Sequence, residues 1–187
     1  MNIDVVKPQH LYLTGYRGCG KSTLAKLLAR RLSVPVVDLD DVIESTAEKS
    51  ITEIFADESE RGFRDREEAA LRDVAKRPTH VIALGGGTIL REANRQLISQ
   101  SGWCVWLDAE PEILVERLQG DATTADRRPS LTDQSVFDEV KTVMTKREPL
   151  YRASADLRVD TSRRTMDEIL GEVLKAVPSS IGHVNPG

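Results

Sequence analysis

The stretch Gly15 to Thr23, GYRGCGKST, sets a glycine ahead of a Gly-Lys-Ser triplet at the spacing of a phosphate-holding loop. Glycines let the backbone turn so that successive N–H groups face phosphate oxygens, and a helix starting directly afterwards adds a favourable field at its N-terminus. Gly15, Gly18, Cys19, Gly20 and Thr23 would supply backbone, Lys21 would reach the β- and γ-phosphates, and the Ser22 hydroxyl would sit on Mg2+. The plain alternative is an ordinary glycine-rich turn. The apolar Leu11, Tyr12 and Leu13 before it, and Leu24, Leu27, Leu28 and Leu32 after it, give the strand-then-helix context that the loop demands. Cys19 lies near Lys21 and that helix start, both of which lower a thiol pKa, so alkylation blocked by nucleotide is expected of it; the alternative is a small filler.

Further groups able to do chemistry follow. Val36 and Val37 run into Asp38, Leu39, Asp40 and Asp41, and carboxylates at the end of a strand stand where open α/β sheets bind ligands. If the strand persists, Asp38 and Asp40 project to one side; beside a polyphosphate they require a cation. Asp40 or Asp41 could instead cap the next helix, and for Asp41 that reading is preferred. The apolar run Trp103 to Leu107 ends in Asp108, which competes with Asp38 for the metal. Val81 to Leu84 empties into Gly85, Gly86 and Gly87, either a tight turn or bare backbone against which a ligand lies. Arg64 and Glu67 stand three apart on a helical pattern, where a surface ion pair is the plain alternative. Residues 120–133 are polar, carry Arg127 and Arg128, and have the length and composition of a lid or a floppy connection.

These groups need a scaffold, and the chain alternates strand and helix to provide one. Strands are expected from Leu11, Val36, Val81, Trp103 and Leu157. Helices are expected over 21–32, from the capping box Ser50 and Glu53, and over 60–76, 112–118, 135–151 and 165–177. Pro149 punctuates the helix over 135–151 near its end. Mostly continuous apolar strands specify a parallel sheet covered on both faces, hence an α/β fold: a three-layer α/β/α sandwich with a five-stranded parallel sheet. A chain of 187 residues suits one domain, 1–187, with 178–187 as a frayed tail. Net charge −4 without a basic run argues against nucleic acid. No long apolar stretch or signal-like N-terminus is present, so neither membrane nor export is expected, and the two cysteines fit a reducing cytoplasm. With no N-K-x-D or LSGGQ run, GTPases and transport ATPases are disfavoured. A small-molecule phosphotransferase, expected to be monomeric, remains.

Taken in order, GYRGCGKST, DLD, ITEIF, GFRDRE, LGGGT, RRPSL and KREPLYR resemble the shikimate kinases, from about His10 to Val177. The resemblance implies a P-loop kinase fold of the nucleoside monophosphate kinase type. It also implies Mg2+-assisted phosphorylation of the 3-hydroxyl of shikimate by ATP, in aromatic amino-acid biosynthesis. On the same footing, Asp40 would hold the substrate hydroxyls and take the proton, Asp38 would orient Mg2+ through water, and Ser22 would ligate it. Arg64 and Arg147 would grip the shikimate carboxylate against Gly85, Gly86 and Gly87, with Glu67 aiming Arg64. Lys21 and Arg128 would serve the transfer, Arg128 folding over the ATP phosphates, while Arg117 and Arg163 would contact adenine. Met166 stands where such kinases often carry a proline against that base, and Ala83 where they often carry a hydroxyl. The rivals are a kinase for another small polyol acid such as gluconate, and a nucleotide-binding protein without turnover.

Overall fold

The computed structural model describes residues 9–120 and 136–182. In order come β1 (His10–Thr14), α1 (Lys21–Leu32), β2 (Val36–Asp38), α2 (Leu39–Ala47), α3 (Ile51–Val74), β3 (Val81–Ala83), a 3-10 turn (Thr88–Leu90), α4 (Glu92–Ser101) and β4 (Gly102–Asp108). After these come α5 (Pro111–Gly120), α6 (Val136–Ser154), β5 (Leu157–Asp160) and α7 (Met166–Ala176). The sheet has five strands in the order β2-β3-β1-β4-β5, and every pairing is parallel.

Side-chain alternation divides the core in two. Leu11, Leu13, Ala83, Val105 and Leu107 pack with Leu24, Leu28, Ile169 and Val173 of α1 and α7. Tyr12, Ile82, Cys104 and Trp106 pack with Phe63, Leu71, Ile98 and Tyr151 of α3, α4 and α6. This is the expected sandwich. Its centre is β1, buried at all five positions, so the turns leaving β1, β3 and β4 share one rim at the point where strand order switches. Among the described residues no helix is long and apolar enough to cross a membrane.

Helix α1 follows its leucine stripe and stops at Ser33, whose φ of 55° is left-handed and whose N–H returns to the carbonyls of Ala29 and Arg30. The two helices expected between residues 51 and 76 join end to end as α3, broken only at Ser59 (φ 62°, ψ 178°). Helix α4 was not expected, because its one fully buried apolar side chain, Ile98, makes no stripe. Pro149 does not punctuate α6, which continues to Ser154. The buried Tyr151 beyond it pins the last turn to the core, and that anchor outweighs one lost backbone bond. Val36 on the edge strand β2 is 41% exposed, unlike the buried interior strands.

His10 is fully buried at the start of β1. Its Nδ1 accepts the His80 N–H at 3.2 Å while Nε2–H donates to the Ala75 carbonyl at 3.3 Å, an arrangement only the neutral ring makes. Burial pushes its pKa below the ordinary value. The unfolded chain therefore takes up the proton first, so this stability is complete above about pH 6.5 and is lost as pH falls towards the folded value. Thermal melts from pH 7.5 to pH 5 should show a falling midpoint, and His10→Asn should flatten that slope; equal slopes would exclude His10 as its source.

Candidate active site

The phosphate loop leaves the C-terminal end of β1. Gly15 has φ 142°, and a Cβ there would collide with the Leu107 carbonyl, so only glycine lets the chain turn this close to β4. Lys21 Nζ lies back across the loop, donating to the Gly15 and Tyr16 carbonyls at 2.9 Å each. Because α1 begins at Lys21, the N–H groups of Lys21, Ser22 and Thr23 belong to a first turn without helical acceptors. Phosphate oxygens suit those donors.

The acids beside the loop differ from expectation in one respect. Strand geometry does not persist through Asp40: β2 ends at Asp38, whose Oδ1 accepts the Asp40 N–H at 3.1 Å and caps α2. Asp38, not Asp41, is thus the cap, and Asp40 lies in the first helical turn. An N-cap carboxylate satisfies an orphan amide, and that bond ends the strand early. The Asp38 carboxylate also accepts the Ser22 hydroxyl at 2.7 Å, so the two candidate metal residues touch. Burial raises the Asp38 pKa, with the Ser22 bond opposing and the charges of Asp40 and Asp41 adding to the rise. An anion kept there at a cost is one that a cation relieves. No cluster of three His, Cys, Asp or Glu able to hold a metal exists among the described residues. Asp108 is occupied otherwise: Arg158 Nε and Nη2 donate to its Oδ2 at 3.0 and 2.6 Å.

The arginines converge. On α3, Arg64 Nη1 donates to Glu67 Oε2 at 2.7 Å, Glu67 is fully buried, and Thr88 Oγ1 donates to its other oxygen at 2.7 Å. This is no surface ion pair: the carboxylate is clamped from both sides and aims the guanidinium at Gly87, where a Cβ would collide with Nη2. Arg64 Nε is buried with no hydrogen-bond partner among the described residues. On α6, Arg147 Nη1 donates to the Gly86 carbonyl at 3.0 Å, and so does the Tyr151 hydroxyl at 2.5 Å. A Cβ on Gly86 would stand 3.3 Å from the Gly15 carbonyl, so the glycine run lies against the phosphate loop. Two guanidinium groups, bare backbone and a phosphate loop thus meet at one rim.

Residues 17–178 match the family model described as shikimate kinase. The chain belongs to the shikimate kinase family. It is 80% identical over 185 residues to the shikimate kinase of Rhodopirellula baltica, covering 99% of each chain. A solved shikimate kinase from Acinetobacter baumannii, in complex with shikimate, superposes with a TM-score of 0.84 at 31% identity, over 90% of this chain and 92% of that one. A gluconokinase from Sinorhizobium meliloti superposes with a TM-score of 0.55 at 17% identity, over 90% of this chain and 91% of that one; that likeness shows the fold alone.

The family reading places the remaining expected residues unevenly. Arg117 of α5 donates to the Thr161 carbonyl at 2.6 Å and to Thr161 Oγ1 at 3.2 Å, with the Gly18 carbonyl at 3.5 Å, bracing the loop after β5 against the phosphate loop. The Met166 methyl lies over Gly20, 3.3 Å from where a Cβ would stand. Arg163 is not drawn into this cluster: its side chain is 81% exposed, with Glu110 at 3.8 Å. Arg127 and Arg128, with the expected lid from residue 121 onward, lie outside the described residues.

Cys19 sits as the filler alternative would place it. Its side chain packs inward at 2% exposure, its Sγ 3.7 Å from Lys21 Nζ, and its N–H donates to the Tyr16 carbonyl at 3.3 Å. Cys104 is equally buried. Iodoacetamide should therefore label neither thiol in the folded protein, with or without ADP, and both after denaturation; fast labelling slowed by ADP would restore the activated-thiol reading. Tyr151 was not singled out from the sequence. Its place in KREPLYR, one helical turn after Arg147, is the signal that could have found it.

Proposed function

We propose that the protein transfers the γ-phosphoryl group of ATP to the 3-hydroxyl of shikimate, giving ADP and shikimate 3-phosphate for aromatic amino-acid biosynthesis. The observation that carries this is the meeting of Arg64 and Arg147 at Gly86 and Gly87, beside Gly15. Planar guanidinium donors match a carboxylate bidentately, and the unpartnered Arg64 Nε is a donor in waiting.

The loop amides receive the ATP phosphates, and Lys21 exchanges its loop carbonyls for phosphate oxygens. Ser22 and Asp38 would hold Mg2+, which supplies charge neutralisation at the phosphates. The shikimate carboxylate lies between Arg64 and Arg147, fixing the ring so that one hydroxyl faces the γ-phosphorus. A bond forms from that oxygen to phosphorus, the bond to the ADP oxygen breaks, and the hydroxyl proton passes to Asp40. Arg128 would cover the phosphates, and Arg117 and Arg163, with Met166 beside them, would stand at the base end of the nucleotide.

The chain is read as one catalytic domain, 1–187, working as a monomer in the cytoplasm without nucleic acid; net charge −4 supports the last point. A coupled assay of ADP release tests the reaction with shikimate and gluconate as acceptors. Shikimate should be turned over and gluconate should not. Gluconate-dependent release would move the assignment to another polyol acid, and release with neither would leave a nucleotide-binding protein.

A further inference from the structure

An ion pair that the transfer itself does not use joins the phosphate loop to α6. Arg17 Nη2 donates to Glu139 Oε1 at 3.0 Å, and the Glu139 side chain is 2% exposed. Arg17 Nε is buried with no hydrogen-bond partner among the described residues, as Arg64 Nε is. The Arg17 backbone nitrogen stands 3.6 Å from where a Cβ on Gly86 would lie. Eight residues beyond Glu139 on the same helix, Arg147 donates to the Gly86 carbonyl. Helix α6 therefore meets the rim at two places about 12 Å apart along its axis, at 1.5 Å per residue.

We infer that Glu139 is a positioning residue for the acceptor: through Arg17 it locks the phosphate loop against α6. The loop that carries the donor and the helix that carries Arg147 then keep one separation. Val140 and Tyr151 seat α6 on the core, but neither ties it to the phosphate loop. The Arg17–Glu139 pair makes that tie and fixes how far the Arg147 guanidinium stands from the loop. A buried ion pair is a poor way to gain stability alone, since its desolvation offsets most of the attraction, but its geometry is exacting. The same device recurs at Arg64, where buried Glu67 fixes a guanidinium that faces the glycine run.

The inference rests on the phosphotransfer reading, and one set of variants separates the two. Arg17→Met takes this partner from the buried Glu139 carboxylate and Glu139→Gln takes it from the partly exposed Arg17, whereas Arg17→Met with Glu139→Gln removes both charges together. Each single variant should lower the thermal midpoint and raise KM for shikimate about tenfold or more, with KM for ATP within about twofold. In the double variant the midpoint should recover while KM for shikimate stays raised. Recovery of that KM together with the midpoint, or a parallel rise in KM for ATP, would reduce the pair to a structural tie and overturn the inference. Wild-type turnover in the same assay keeps the failures apart. No shikimate-dependent turnover sinks the reaction itself, while normal turnover with unaltered variants sinks only the anchor.

Discussion

Arg64→Ala should raise KM for shikimate by about two orders of magnitude while KM for ATP moves within about twofold. Truncating one partner of a buried, hydrogen-bonded charge pair costs about 2–5 kcal/mol, and each 1.4 kcal/mol is about tenfold in affinity. Two losses combine. The acceptor carboxylate loses its guanidinium fork, and Glu67, fully buried, keeps only its bond from Thr88 of the two described above. The second loss also weakens the fold, so the thermal midpoint should fall. Arg64→Lys keeps the charge but not the planar fork and should recover little of the affinity. Equal rises in both KM values would show that the side chain acts on the fold as a whole and not on the acceptor.

Asp38→Asn should lower kcat by about 10²- to 10³-fold, the usual cost of removing one preorganised electrostatic group. Asparagine caps helices as well as aspartate does, so α2 should persist and the change isolates the charge. The contrasting variant is Asp108→Asn, which weakens the clamp from Arg158 across β4 and β5 and should lower the melting midpoint while leaving kcat near wild type. Titrating Mg2+ at saturating ATP completes the comparison, because only the Asp38 variant should need more metal. If Asp108→Asn abolished metal-dependent turnover and Asp38→Asn spared it, the metal position would pass to the end of β4.

Much of this was legible in the sequence for reasons particular residues make plain. The stripe Leu24, Leu28 and Leu32 can bury itself only as a helix against a sheet, so α1 and the loop before it were readable together. Apolar runs in β1, β3 and β4 specify interior parallel strands, and the family resemblance gives Arg64 and Arg147 one shared task. Local competition was harder to read. Asp38, Leu39 and Asp40 alternate as a strand would, yet the Asp38 side chain bonds the Asp40 amide and turns the chain into α2. Burial was harder still: Arg64 and Glu67 have the spacing of any surface pair, and only packing against Gly87 and Thr88 makes them otherwise. The Arg17–Glu139 pair spans 122 positions, a separation over which one sequence carries no contact signal.

The central strand is also the first of the five in the chain, yet both its neighbours come much later: Leu11 pairs with Val81 on one side and Trp103 on the other. A nascent chain that stops short of Val81 thus holds a finished phosphate loop sequence with neither strand that flanks β1. Long-range pairing of this kind is slow, and an apolar segment that waits for partners is prone to aggregate. Seating of the phosphate loop therefore waits on β3 and β4, and Leu11, Tyr12 and Leu13 lack their sheet partners until those strands are made.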